Sequence, residues 1–122
     1  MHYDLSQNEE MLLAIAKNNR AWPKQRFRAA VSVVRLWMLN GKIHEGNFSI
    51  YTWRPFAHSG DGKACGCIGH WAEVVARKRF VFSNGRGGPR WERERQLCFE
   101  GLLSKASVPN AIAAIEEYLR GR

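Results

Sequence analysis

The chain has 122 residues and a mass of 14.0 kDa, is 45% hydrophobic, and carries 19 Lys+Arg against 11 Asp+Glu, a net charge of +8. That length fits one compact domain over residues 1–122 and leaves little room for a second. No apolar run approaches the ~18 residues of a membrane span, and Met1-His2-Tyr3-Asp4 has neither the basic nor the apolar region of a signal peptide. A cytoplasmic location is the expectation, without a membrane partner. Three cysteines, an odd number, argue against a disulfide framework.

A first helix is announced by Ser6 with Glu9 three residues later, the pattern of a capping box. Met11, Leu12, Ile15 and Ala16 follow at helical spacing, and Asn18-Asn19 should end the helix. Pro23 suits the first turn of a second helix, predicted over 23–39. Phe27, Val31, Val34 and Met38 form its apolar stripe, widened by Ala30, Val33 and Trp37, and Asn40-Gly41 is a natural stop. The width of that stripe makes this helix the expected packing centre.

Residues 46–63 read as loop, apart from an alternating aromatic and β-branched stretch, Asn47 to Trp53. Ser59-Gly60-Asp61-Gly62 reads as a turn. A third helix is predicted over 66–78, with Ile68, Ala72, Val75 and Ala76 inward. Phe80-Val81-Phe82 would pair with residues 48–53 as a two-stranded ribbon lying against the helices, since two strands alone are marginal. The Gly-rich segment 84–90 is a basic loop. A fourth helix is predicted over 90–103, weakened by Gly101, and a fifth over 109–120 behind a Ser107 cap. The expected class is α+β, mostly α-helical, with four to five helices and a small two-stranded β element.

The charge is unevenly spread. Residues 20–35 hold Arg20, Lys24, Arg26, Arg28 and Arg35 with no acid, and residues 77–95 hold seven cations against Glu92 and Glu94. Thirteen of the 19 basic residues are Arg, whose planar fork matches phosphate and stacks on aromatic faces. Such a balance fits a polyanionic partner: nucleic acid, a nucleoprotein complex or an acidic protein surface. Arg77, Lys78, Arg79, Arg86 and Arg90 with Trp91 combine cations with an aromatic, as a backbone-tracking, base-stacking surface requires. Cations closing the third helix also complement its dipole, so part of this run has a purely structural explanation. Lys24, Arg28 and Arg35 share a helix face, either as a phosphate-contacting stripe or as a solvated one. No arrangement that would specify bases is visible.

The other conspicuous cluster is Cys65-Gly66-Cys67-Ile68-Gly69-His70, with His58 seven residues before Cys65. His58, Cys65, Cys67 and His70 are chemically suitable zinc ligands, which makes a zinc-stabilised interaction module the alternative reading. The Cys-x-Cys spacing is poor for this, because at a helix start it points the two sulfurs apart. Small buried hydrophobes are the usual fate of such cysteines. A nucleophilic thiol paired with His58 or His70 and oriented by Asp61 is physically admissible at a helix start. No nucleophile elbow, phosphate loop or carboxylate pair supports it. No cofactor and no catalytic residue are therefore expected.

The stretches Phe48 to Trp53 and Ala64 to Ala72 resemble a motif of small uncharacterised proteins from phages and proteobacterial mobile elements. Leu97-Cys98-Phe99 and Val108-Pro109-Asn110-Ala111 are similar to later segments of that family, so the resemblance covers roughly residues 48–120. In that family only the cysteine matching Cys67 is regular, and Cys65 is an addition. The resemblance carries no activity. It implies a phage or mobile-element accessory protein, for which an inhibitor of a host defence complex, of the anti-CRISPR type, is the sharpest expectation.

Overall fold

The computed structural model describes residues 8–50, 67–80 and 91–121. These form five α-helices: α1 Glu9–Lys17, α2 Pro23–Leu39, α3 Ile68–Ala76, α4 Glu92–Phe99 and α5 Val108–Leu119, with a 3-10 turn Leu102–Lys105 between the last two.

The first helix starts two residues later than the box at Ser6 suggests. Asn8 is its N-cap, and the Asn8 carboxamide oxygen accepts from the backbone N–H groups of Glu10 (2.7 Å) and Met11 (3.2 Å). Ser6 itself lies outside the described residues. The second helix matches its predicted bounds. It is the packing centre, as its apolar width requires: Phe27, every residue from Ala29 to Val34, Trp37 and Met38 are buried. It packs against α1, α3 and α5. A helix apolar on several faces is stable only when other helices cover those faces.

Helix α4 is shorter than its sequence pattern. Gly101 takes a left-handed conformation (φ +59°), which ends α4 at Phe99 and starts the 3-10 turn. Ser107 caps α5 as expected, its hydroxyl accepting from the Asn110 N–H at 3.3 Å. Glu45, far away in sequence, adds a second acceptor there, binding the Val108 N–H at 2.8 Å. An acidic side chain at a helix start also satisfies the positive end of its dipole.

The β element is the part of the fold expectation that the structure does not support. No strand occurs among the described residues; Phe48 makes only an isolated bridge. Residues 51–53 and 81–82 of the expected ribbon, and the turn at 59–62, lie outside the described residues. Phe48, Ile50 and Phe80, which do belong to the described residues, are all buried in the helical core. Their apolar character thus reflects burial between helices, which alternation over so short a stretch does not distinguish from a strand.

One aromatic cluster organises the start of α2. The Phe27 ring is fully buried and meets Phe80 (5.2 Å between centroids), Tyr118 (5.8 Å) and Trp91 (6.2 Å), each edge-to-face. Edge-to-face geometry aligns the positive rim of one ring with the negative face of another, at about 0.5–1.5 kcal/mol per pair beyond area burial. Phe80 follows Arg79 and Trp91 follows Arg90. Hence the same cluster that closes the core also ties the second basic segment to the first.

Candidate nucleic-acid interface

The cations of the first segment divide into two groups. Lys24, Arg28 and Arg35 face α4 and α5. The Lys24 ammonium lies 3.7 Å from Glu94, the Arg28 guanidinium sits 5.9 Å from the Tyr118 ring centre, and Arg35 donates to Glu116 at 2.6 Å. Arg35 and Glu116 are both largely covered, so this pair joins α2 to α5. The shared face that spacing predicted is real, but its partners are this chain's own carboxylates and a tyrosine ring.

Arg20 and Arg26 form the second group, at the entry to α2 beside Trp22. Arg20 is exposed, and Arg26 lays its guanidinium 5.4 Å over the Phe80 ring. Trp22 is the N-cap residue; its indole is 79% exposed and makes no capping bond. No acidic residue occupies the first turn of α2. Cations at that position oppose the positive end of the helix dipole, so they do not serve the helix.

The second basic segment emerges beside Arg26. Arg77 and Arg79 are exposed and Lys78 is half-buried. Arg77 ends α3 in a left-handed conformation (φ +56°, ψ +32°), with its backbone N–H turned back to the carbonyls of Glu73 and Val74. A residue with a Cβ is strained there, and glycine is the usual occupant. An Arg at this position gives up stability, which makes it a candidate for a role outside the fold. Arg77→Gly is expected to raise stability by about 1 kcal/mol, read as an upward shift of the thermal midpoint. A lower midpoint would show that the Arg77 side chain holds the fold.

Two further expectations resolve differently. Trp91 is 3% exposed and belongs to the Phe27 cluster, so it has no face to offer a base. Trp22 is the exposed tryptophan among the described residues, and no local sequence signal separated it from Trp37, Trp71 and Trp91, all of which are buried. Arg86 and Arg90 lie outside the described residues.

The cysteine-histidine cluster is only partly visible, since His58 and Cys65 also lie outside them. Cys67 and His70 are buried at the start of α3, and no group of three or more metal-ligating side chains occurs among the described residues. Burial pushes the Cys67 thiol up, and pushes that of its fully buried neighbour Cys98 well up. Both shifts run opposite to what a nucleophilic thiolate needs. A groove of about 400 Å³ between α4, the 3-10 turn and α5 is lined by Arg93, Gln96, Ser104, Lys105, Asn110 and Glu117 among others. The Lys105 ammonium there is already bonded to three backbone carbonyls.

The arrangement is thus a cationic edge carrying one exposed aromatic, without an assembled catalytic group among the described residues. No described helix is long and apolar enough to cross a membrane. No known protein family, curated protein or solved structure matches this chain.

Proposed function

We propose that this chain is a non-enzymatic binding protein that engages nucleic acid, free or within a nucleoprotein complex, through the edge formed by Arg20, Arg26, Arg77, Lys78 and Arg79. The observation that carries the reading is the junction of two basic segments some fifty residues apart in sequence. Arg26 lies over Phe80, and Phe27 packs on Phe80 and Trp91, so cations from both segments share one edge of the molecule. Cations brought together in this way repel one another, a cost that a polyanion relieves. The likeness to phage and mobile-element proteins favours, within this reading, an inhibitor that covers the guide or target channel of a host defence complex.

The test is binding to labelled single- and double-stranded DNA and RNA across a salt series. Log affinity should fall linearly with log salt, because each neutralised phosphate releases counterion. Replacing Arg77 and Arg79 together by Gln should flatten that slope by about 1.4 on single strands, since each contact contributes about 0.7 there. An unchanged slope would remove both residues from the interface. Absence of binding at low salt would turn the edge toward an acidic protein.

A further inference from the structure

We infer that Trp22 is a stacking platform for an unpaired base, which makes single-stranded nucleic acid the ligand of the basic edge. The inference rests on the reading above and narrows it. Tryptophan is among the costliest side chains to leave in water, and Trp37, Trp71 and Trp91 all enter the core. Trp22 stands apart from them with 79% of its surface exposed. The fold does not use the ring as a cap either, since the N-cap of α2 makes no side-chain hydrogen bond.

Its surroundings select the ligand chemistry. Arg20 and Lys24 flank it two residues away on either side, and Arg26 follows one helical turn on, its N–H bonded to the Trp22 carbonyl at 2.9 Å. No acidic residue occurs between residues 11 and 44, and Glu94, which approaches from α4, pairs with Lys24 at 3.7 Å. An exposed indole with cations on both sides of it in the chain suits a ligand that is flat, aromatic and anionic along one side, which describes a nucleotide with its base turned out. An acidic peptide would satisfy the cations but leave the ring without a flat partner. Duplex bases are already stacked on each other and present only their edges in the grooves. The ring therefore adds affinity for single strands and little for duplex.

Trp22→Ala, Trp22→Phe and the Arg77/Arg79→Gln variant should be compared with the wild type by anisotropy, using labelled oligo-dT, oligo-U and a hairpin duplex. Because Trp22 is exposed, its substitution should leave the thermal midpoint in place, which a melting curve checks. Loss of one stacked base should weaken oligo-dT or oligo-U binding by Trp22→Ala about tenfold. The salt slope should not change, since no phosphate contact is lost, and Trp22→Phe should recover part of the affinity. Hairpin binding should hardly move. Full oligonucleotide affinity in Trp22→Ala, with a flattened slope in the arginine variant, would overturn the stacking role and leave the basic edge standing. An equal loss on hairpin and single strand would overturn the preference for unpaired bases. No binding by the wild-type chain at low salt would overturn this inference together with the reading beneath it.

Discussion

Lys105→Met is expected to destabilise the protein by about 3 kcal/mol. Lys105 is a charged residue only 7% exposed, at the end of the 3-10 turn. Its ammonium donates to the carbonyls of Gln96 (2.6 Å), Leu97 (2.8 Å) and Glu100. Those are carbonyls of the last turn and C-cap of α4, which the break at Gly101 leaves without helical donors. An ammonium has three protons to give, and all three are used. It also sits at the negative end of the α4 dipole. Burial lowers the Lys105 pKa, which shows that removing the charge from water is costly and that the three carbonyls must offset it.

Methionine keeps the length and apolar stem of lysine but donates nothing. The cost of the variant is then the cost of unmet carbonyls, with little contribution from lost volume. Against a typical total of roughly 5–15 kcal/mol for a domain, that loss is large. Urea unfolding should show it as a fall in midpoint at constant slope. A loss below about 1 kcal/mol would mean that water replaces the ammonium readily and that the end of α4 is open.

The second large effect is a pH dependence centred on Glu73. This carboxyl is 1% exposed on α3. One oxygen accepts the Phe80 N–H at 2.8 Å, while the other is buried without a hydrogen-bond partner. Burial raises its pKa from 4.5 to about 7, against the opposing pull of the Phe80 N–H and the positive charge of Arg79. In the unfolded chain the group ionises near its ordinary value, so between 4.5 and 7 the folded state binds the extra proton. The contribution of Glu73 to stability is therefore full below 4.5 and is lost as pH rises toward 7, by as much as roughly 3 kcal/mol.

Glu73→Gln removes the titration while keeping an oxygen that can accept from Phe80. Its stability relative to the wild type should grow from pH 4 to pH 8, by about 1–3 kcal/mol. Denaturant midpoints for both proteins across that range give the difference directly. A difference that stays constant with pH, or that grows toward acid, would place the carboxyl in contact with solvent. Because the same carboxyl anchors Phe80, it also holds the exit of α3 from which Arg77 and Arg79 project.

Much of this architecture was legible in local patterns. The bounds of α2, the Ser107 cap of α5 and the inward set Ile68, Ala72, Val75 and Ala76 follow from spacing and capping chemistry, which act within a few residues. The exit of α4 was half legible. Gly101 marks a weak point in the pattern, but whether a helix continues through a glycine depends on what waits to receive its carbonyls. Here Lys105 does, four residues beyond the glycine.

The site was less legible, for a definite reason. Spacing puts Lys24, Arg28 and Arg35 on one face of one helix. Whether that face meets water or protein is decided by Glu116, 81 residues beyond Arg35, and by Glu94 and Tyr118. Aromatic residues pose the same problem more sharply. Trp91 and Trp22 both adjoin arginine-rich sequence, and only the Phe27 cluster decides that one is core and the other surface.

By itself the sequence determined that the chain is mostly helical, roughly where the helices lie and the presence of two cationic segments, because periodicity, capping and charge are properties of neighbouring residues. Tertiary structure alone decided which cations are bonded inside the molecule, which aromatic faces solvent, and that the two segments meet beside Phe80. Those are properties of packing, set by contacts between residues tens of positions apart.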